Sequence, residues 1–151
     1  MSSNADDYMM SIVPTPDGKF MIFWMEDAWP ASSLKFSKID SEGNIEIGWN
    51  PNGNSLSNSS FDSRNLTVKS VADESGVLAI WTQDGNFSDI YAQMISWDGE
   101  ALWNEGGIAV SEADNDQVNF SFEFNESKTH ALITWEAVSY THLTLPTKQM
   151  V

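Results

Sequence analysis

The sequence predicts an all-β protein built from repeated units of four short strands. Apolar, strand-like segments that contain tryptophan recur along the chain, and Trp24, Trp81 and Trp135 lie 57 and 54 residues apart. The segments between them are rich in Gly, Asn, Asp and Ser, which are the residues that favour turns. No segment shows the sustained apolar stripe of an amphipathic helix.

A second, independent set of positions repeats with the same period. Trp49 and Trp103 are also 54 residues apart, and the segments "WNPNGNSLS" and "WNEGGIAVS" that begin there align Gly53 with Gly107. Four short strands in each unit of about fifty residues are typical of a β-propeller blade. We therefore predict a fragment of a β-propeller with about two and a half four-stranded blades, with a β-sandwich as the alternative.

The first unit, near residues 8–57, contains two clear strand signals. Residues 20–24, "FMIFW", form an apolar run that is typical of a strand covered on both faces. Residues 34–39, "LKFSKI", mix apolar and polar side chains and fit a more exposed neighbouring strand. The "DSEG" segment at residues 40–43 predicts a hairpin turn, because glycine readily adopts a positive φ.

The second unit, near residues 65–111, repeats this order. Residues 77–81, "VLAIW", correspond to the covered strand, and residues 90–95, "IYAQMI", correspond to the mixed strand. Asp98 and Gly99 supply the turn signal.

The third unit, near residues 117–137, is shorter than the other two. It begins with "VNFSFEF", in which every second residue is apolar, so that Val118, Phe120, Phe122 and Phe124 are expected on one buried face. Residues 1–137 therefore form the predicted repeat region, with its last unit truncated.

The last 14 residues, "VSYTHLTLPTKQMV" at 138–151, match no part of the repeat. Their first ten residues can be encoded by GTC TCT TAT ACA CAT CTG ACG CTG CCG ACG, which resembles the read-through of a transposase-type sequencing-library adapter. We expect this tail to be non-native and adapter-encoded, at the end of a fragment assembled from environmental DNA. On this expectation the tail was never selected to pack.

Composition excludes several classes of protein and site. The formal net charge of −15 disfavours nucleic acid as a partner. No apolar run approaches the roughly 20 residues of a membrane span, so membrane insertion is not expected. The absence of cysteine excludes disulfides and thiolate chemistry.

The segment "DIYAQMISWDGEALWNEGG", residues 89–107, resembles a repeat of secreted bacterial proteins of the Bacteroidetes type, in which a W-x-D strand precedes D-I-Y-A-Q, D-G and L-W. The first unit departs from this pattern, since Lys35, Phe36 and Ser37 stand where Tyr-Ala-Gln is expected. The resemblance implies an extracellular or cell-surface location. It specifies the fold better than any activity.

"SWDGEALW", residues 96–103, also resembles the Asp-box hairpin of sialidase-like propellers, with one residue missing and Leu102 at the threonine position. The Asp box is structural even where it is complete. Arg64 is the only arginine in the chain, so the sequence lacks the arginine cluster that such an enzyme needs to bind a carboxylate.

Two sets of residues are candidates for binding. Asp84, Asn86 and Asp89 supply oxygen ligands within one short loop, which suits calcium, although the same residue types are also common turn formers. Trp29 and Trp97 fall outside the repeated tryptophan positions and are candidates for stacking on a ligand such as a sugar ring.

No catalytic constellation stands out from the sequence. There is no G-x-S-x-G motif, and no carboxylate pair is singled out by its spacing. We therefore expect a non-catalytic structural or interaction repeat region of a larger secreted or cell-surface protein, whose first partner is the rest of its own propeller. The alternative is part of a carbohydrate-active enzyme or of a glycan-binding propeller, and protein or glycan ligands fit either case.

Overall fold

The computed structural model describes residues 6–58, 60–72, 75–138, 143–144 and 147–150. These residues form three four-stranded antiparallel sheets, and none of the three closes on itself. The described part of the chain contains strands and turns but no helix, so the all-β prediction is confirmed. It follows that no described helix could span a membrane.

Sheet 1 is an up-and-down meander of the first four strands. Its strands are β1 (Asp6–Pro14), β2 (Phe20–Asp27), β3 (Ser33–Ile39) and β4 (Asn54–Ser55), in that spatial order. The turn predicted after β3 is present, with Gly43 at a φ of 87°.

Sheet 2 repeats the same meander. Its strands are β5 (Asp62–Ser70), β6 (Gly76–Asp84), β7 (Ser88–Ser96) and β8 (Ile108–Ser111). The predicted turn after β7 is also present, and Gly99 has the same φ of 87° as its counterpart in sheet 1.

Sheet 3 is built differently on one side. Strand β9 (Gln117–Phe124) pairs with β10 (Ala131–Val138), as the first two strands do in the other sheets. The far edge of β10 is paired with β11 (Leu143–Thr144) and β12 (Thr147–Met150), both from the tail. The tail thus lies along β10 as extended backbone, and residues 139–142, 145–146 and 151 lie outside the described part of the chain.

Sheet 2 lies between the other two sheets, and its strand β6 is covered on both faces. Val77, Ala79 and Trp81 belong to a buried cluster shared with sheet 1, whereas Leu78 and Ile80 belong to one shared with sheet 3. Every residue of β6 except the last is buried. The continuous apolar run of β6 is therefore explained by the two sheets that cover it.

Strand β2 corresponds to β6 in the repeat but is covered on one face only. Met21 and Phe23 are fully buried against sheet 2, whereas Phe20, Ile22 and Trp24 on the other face are half-buried. The expectation of a strand covered on both faces is confirmed for β6 and wrong for β2. Sheet 1 is the end of the described stack, so its outer face has no neighbouring sheet.

The mixed strands β3 and β7 are more buried than the sequence indicated. Leu34, Phe36 and Ile90 are at most 2 % exposed, and the polar residues Ser37 and Gln93 are buried as well. The expectation of exposed neighbours is wrong because both strands lie inside their sheets and contribute to the buried clusters between sheets.

The first strand of the second and third units carries the same irregularity. Asn65 in β5 and Asn119 in β9 have positive φ angles of 55° and 52°, and the strand pairing shifts beside each of them. The shift pairs Val118 with Glu136, so Val118 does not join the phenylalanines packed against sheet 2. The predicted single face is therefore correct for Phe120, Phe122 and Phe124 and wrong for Val118.

The aligned glycines make room for the repeated tryptophans. A Cβ atom on Gly53 would lie 2.3 Å from Cη2 of Trp24, and one on Gly107 would lie 2.5 Å from Cη2 of Trp81. Each glycine also has a positive φ, of 77° and 89° respectively. The tryptophan ring of β2 or β6 thus packs directly on the backbone that leads into the fourth strand of its own sheet.

We predict that Gly107→Ala costs much more stability than Gly43→Ala. The two glycines have nearly equal φ angles of 89° and 87°, but a Cβ on Gly43 would meet nothing within 4 Å. Backbone strain should cost about 1 kcal/mol in both variants, and the clash with Trp81 should add about 2 kcal/mol in Gly107→Ala alone. Urea unfolding measures both losses, and equal losses would contradict the packing role of Gly107.

Candidate functional site

The two candidate stacking tryptophans differ sharply in exposure. Trp29 lies in the connection between β2 and β3 and is 94 % exposed. Trp97 follows β7 and is partly buried against the core between sheets 1 and 2. Trp29 lies in the connection before β3, whereas Trp97 follows the far end of β7, the strand that corresponds to β3. The two tryptophans therefore lie at opposite ends of their sheets. The structure does not bring them into one site.

Trp97 lines a pocket of about 450 Å³ to which all three sheets contribute. The other walls come from residues 14–16 of sheet 1, 70–72 of sheet 2 and 126–128 of sheet 3. The indole N–H of Trp97 is buried and has no acceptor among the described residues. The residue therefore contributes to a polar and apolar concavity rather than to an open stacking surface.

A buried lysine fixes the position of Trp97. The Nζ atom of Lys38 lies 2.9 Å from a carboxylate oxygen of Asp17 and donates a hydrogen bond of 3.3 Å to the carbonyl oxygen of Trp97. Asp17 also accepts a hydrogen bond from the hydroxyl of Thr15. The hydrogen bonds from the Thr15 hydroxyl and from Lys38 lower the pKa of Asp17 to about 2, so the carboxylate stays charged and keeps its ion pair with Lys38 at mildly acidic pH.

The three candidate calcium ligands have separate surroundings. Asp84 pairs with Ser88 across the β6–β7 hairpin and Asp89 pairs with Gln83, so the two aspartates lie on opposite faces of sheet 2. Asn86 is exposed in the loop between them. No group of three or more carboxylate, histidine or cysteine side chains in the described residues could hold a metal ion. Calcium binding by these residues stays a prediction.

The carboxylate of Asp84 is engaged by two donors. It accepts a 2.6 Å hydrogen bond from the hydroxyl of Ser88 and forms an ion pair of 2.8 Å with Arg64. The only arginine of the chain is therefore committed to this ion pair across β5 and β6.

A link between Ser and Asp residues recurs at the same end of sheets 1 and 2, and the sequence reading missed it. In sheet 1, Ser32 donates its hydroxyl to Asp27 at 2.8 Å and its backbone N–H to Asp62 of sheet 2 at 2.7 Å. In sheet 2, Ser88 donates its backbone N–H to Asp116, just before sheet 3, at 2.9 Å. Each serine thus ties its own hairpin to the entry of the next sheet.

Gln93 explains why D-I-Y-A-Q and L-W occur together in the second unit. Its side-chain amide donates a 2.6 Å hydrogen bond to the carbonyl of Asn104, and its amide oxygen accepts one of 3.0 Å from the backbone N–H of Trp103. In the first unit the corresponding Ser37 is too short for this role, and its hydroxyl has no partner among the described residues. The serine at this position of the first unit therefore removes the two hydrogen bonds that Gln93 forms in the second unit.

Asp89 is the most perturbed carboxyl of the described residues. Burial, and to a lesser extent the neighbouring charges of Glu112 and Asp116, raise its pKa to about 6. Its Oδ1 atom is buried and has no hydrogen-bond partner within the described part of the chain. Glu112 accepts a 3.1 Å hydrogen bond from the hydroxyl of Tyr91, whose pKa burial and Glu112 raise to about 12.

Comparisons of the chain with protein-family models, with curated proteins and with solved structures found no match.

We predict that stability falls as the pH rises from about 4 to about 6, because Asp89 holds its proton more tightly in the folded state than at its ordinary pKa of 3.8. Asp89→Asn removes this slope. After a discount for solvent screening of a partly exposed group, it should stabilise the protein by about 1 kcal/mol at neutral pH.

Thermal melting across this pH range measures the effect, with Asp114→Asn as the control, since Asp114 is an exposed aspartate two residues before Asp116. An Asp89→Asn variant with an unchanged pH profile would contradict the assignment to Asp89.

Proposed function

We propose that the chain is part of a β-propeller and serves as a non-catalytic structural or interaction repeat region of a larger secreted or cell-surface protein. The observation that carries this proposal is the repeated packing of sheet on sheet. Sheets 1 and 2 have the same meander, and sheet 2 covers one apolar cluster on each side. A unit that packs an apolar cluster on each of its two faces suits extension by further units.

The ends of the sheets support a structural role. Several of their polar side chains form links within hairpins or to neighbouring sheets, as Ser32, Asp62 and Asp84 do. A catalytic site needs polar groups that are free to act on a substrate. The extracellular or cell-surface location follows from the resemblance of residues 89–107 to a repeat of secreted bacterial proteins.

The repeat interpretation predicts that an added unit stabilises the chain. The variant chain carries a second copy of residues 62–116 ahead of Asp6. In the structure, Leu78 and Ile80 pack against sheet 3. In the added copy, the same two residues are expected to pack against Ile22 and Trp24 of sheet 1. Both the midpoint and the m-value of urea unfolding should rise, since the added interface buries more apolar surface.

The matched control is the same variant with Leu78→Glu and Ile80→Glu in the added copy only. These charges remove the apolar contact with sheet 1 but keep the length of the chain. Equal midpoints for the two variants would contradict stacking by repetition and favour the β-sandwich alternative.

Trp29 favours a second candidate function, glycan binding. A tryptophan ring that is 94 % exposed offers an apolar face at which a sugar ring can stack. The short connection between β2 and β3 presents it at the end of sheet 1. On this alternative the chain belongs to a glycan-binding propeller or to a carbohydrate-active enzyme.

The glycan alternative predicts binding to immobilised neutral oligosaccharides and a loss of about fivefold in affinity for Trp29→Ala, because the stacked ring contributes on the order of 1 kcal/mol. Ile47→Ala is the control, since Ile47 is 96 % exposed and lies in the β3–β4 connection instead. Retention that does not depend on Trp29 would count against this site.

A further inference from the structure

Two buried acceptor oxygens lie on directly paired residues of sheet 2. Gln83 in β6 pairs with Asp89 in β7, and residues paired in this way project from the same face with Cβ atoms about 5 Å apart. Gln83 is 6 % exposed, and neither its Oε1 atom nor Oδ1 of Asp89 has a hydrogen-bond partner among the described residues. Two unpartnered oxygens this close together need a proton, a water or a cation to satisfy them.

A third oxygen donor lies on the other side of Asp89. Glu112 directly follows β8, whose last residue pairs with Ile90. It accepts a 3.1 Å hydrogen bond from the hydroxyl of Tyr91, which lies two residues after Asp89 and on the same face of β7. Gln83, Asp89 and Glu112 thus form a row of side chains across β6, β7 and the end of β8.

The electrostatic surroundings of this row are negative. Burial, together with the charges of Glu112 and Asp116, raises the pKa of Asp89, and both of these neighbouring charges are carboxylates. Arg64, the only arginine of the chain, is paired with Asp84 on the opposite face of sheet 2. A partly buried carboxylate that has like charges beside it is stabilised by a cation.

We propose that Gln83, Asp89 and Glu112 bind a calcium ion. Carboxylate and amide carbonyl oxygens are ligands that calcium prefers, and its flexible coordination suits a row of side chains completed by water, whereas magnesium demands a near-ideal octahedron. One divalent cation also balances the charge of the two carboxylates. This set keeps only Asp89 of the loop residues singled out in the sequence, because Asp84 lies on the other face and Asn86 is exposed.

The number of protein ligands sets the strength of binding. Calcium takes about six to eight oxygen ligands, and three side chains supply only some of them, so we expect a Kd on the order of 10⁻⁴–10⁻³ M. Calcium in excess should stabilise the folded chain by mass action. Since Asp89 binds calcium only when it is ionised, protons compete with the metal and the effect should weaken below about pH 6.

Thermal melting at neutral pH measures the binding. Calcium chloride at about ten times the expected Kd should raise the midpoint by roughly 3–6 °C over chelator in sodium chloride of equal ionic strength. The sodium chloride separates binding from general screening of the net charge of −15. Magnesium chloride at the same concentration should raise the midpoint less.

Matched variants locate the site. Asp89→Asn and Gln83→Met should each abolish the rise with calcium. In chelator neither should melt below the unmodified chain, because each removes a buried charge or acceptor that lacks a partner, so a lost response is not a loss of folding. Asp114→Asn removes an exposed charge, and Asn86→Ala removes the exposed loop amide. Both of these variants should keep the full rise.

Terbium gives a second measurement that does not depend on stability, because it shares the preference of calcium for oxygen ligands. Trp81 and Tyr91 stack on the face of sheet 2 that carries the row, with ring centroids 6.3 Å apart, and should sensitise the luminescence of bound terbium. Calcium should displace the terbium, and Gln83→Met should abolish the displaceable signal.

Three melting results would overturn the proposal. Equal midpoints in calcium and in sodium chloride would mean that water or a direct contact satisfies the two oxygens. A rise that survives both Asp89→Asn and Gln83→Met, or one lost in Asn86→Ala, would place calcium elsewhere. A larger rise with magnesium would identify the wrong cation. Each of these results leaves the proposed repeat function standing, because that proposal is tested by the added unit.

Discussion

The structure depends on the burial of strand β6 between two sheets. Its odd-numbered residues from Val77 to Trp81 face sheet 1, and its even-numbered residues Leu78 and Ile80 face sheet 3. A strand with apolar side chains on both faces cannot be stable at the surface of a two-layer protein. The three-sheet stack is the arrangement that removes both faces from water.

This burial has consequences for the polar residues on the same sheet. Asp89 pairs with Gln83 at the end of β6 and is carried partly out of water by the same packing that buries Trp81. The raised pKa of Asp89 is therefore a cost of stacking, and the nearby carboxylates Glu112 and Asp116 add to it. Where a hydrogen-bond donor lies within reach, as the Ser88 hydroxyl does for Asp84, the carboxylate instead accepts a hydrogen bond that joins two strands.

Local features of the fold could be predicted from the sequence, whereas contacts between units could not. The turns at Gly43 and Gly99 were predictable because a short run of residues determines them. The links from Ser32 to Asp62 and from Ser88 to Asp116 join residues 30 and 28 positions apart, and nothing in the residue types distinguishes these aspartates from loop composition. The shift at Asn119 depends on one backbone angle that the alternating pattern hides.

The same distinction holds for the candidate sites. Asp84, Asn86 and Asp89 are close in sequence, and loop residues that are close in sequence suggest one site. Two of them belong to paired strands, where alternation separates neighbouring carboxylates to opposite faces. The alignment of Gly53 with Gly107 was visible in the sequence, but its cause was not, because the tryptophan that excludes a side chain comes from a different strand.

The two ends of the stack are unequal, and this inequality follows from the order of strands in each unit. Every sheet has one face that carries the repeated tryptophan and one that does not. In sheet 2 the tryptophan face receives sheet 1, and in sheet 3 Trp135 faces sheet 2. The tryptophan faces of sheets 2 and 3 are therefore each covered by the preceding sheet. Among the described sheets, none covers the tryptophan face of sheet 1 or the opposite face of sheet 3. The tryptophan face of sheet 1 carries apolar residues such as Ile12 and Ile22, whereas the face of sheet 3 that points away from sheet 2 mixes apolar and polar residues. The residues on that face of sheet 3 are Val118, Ser121, Glu123, Leu132, Thr134, Glu136 and Val138.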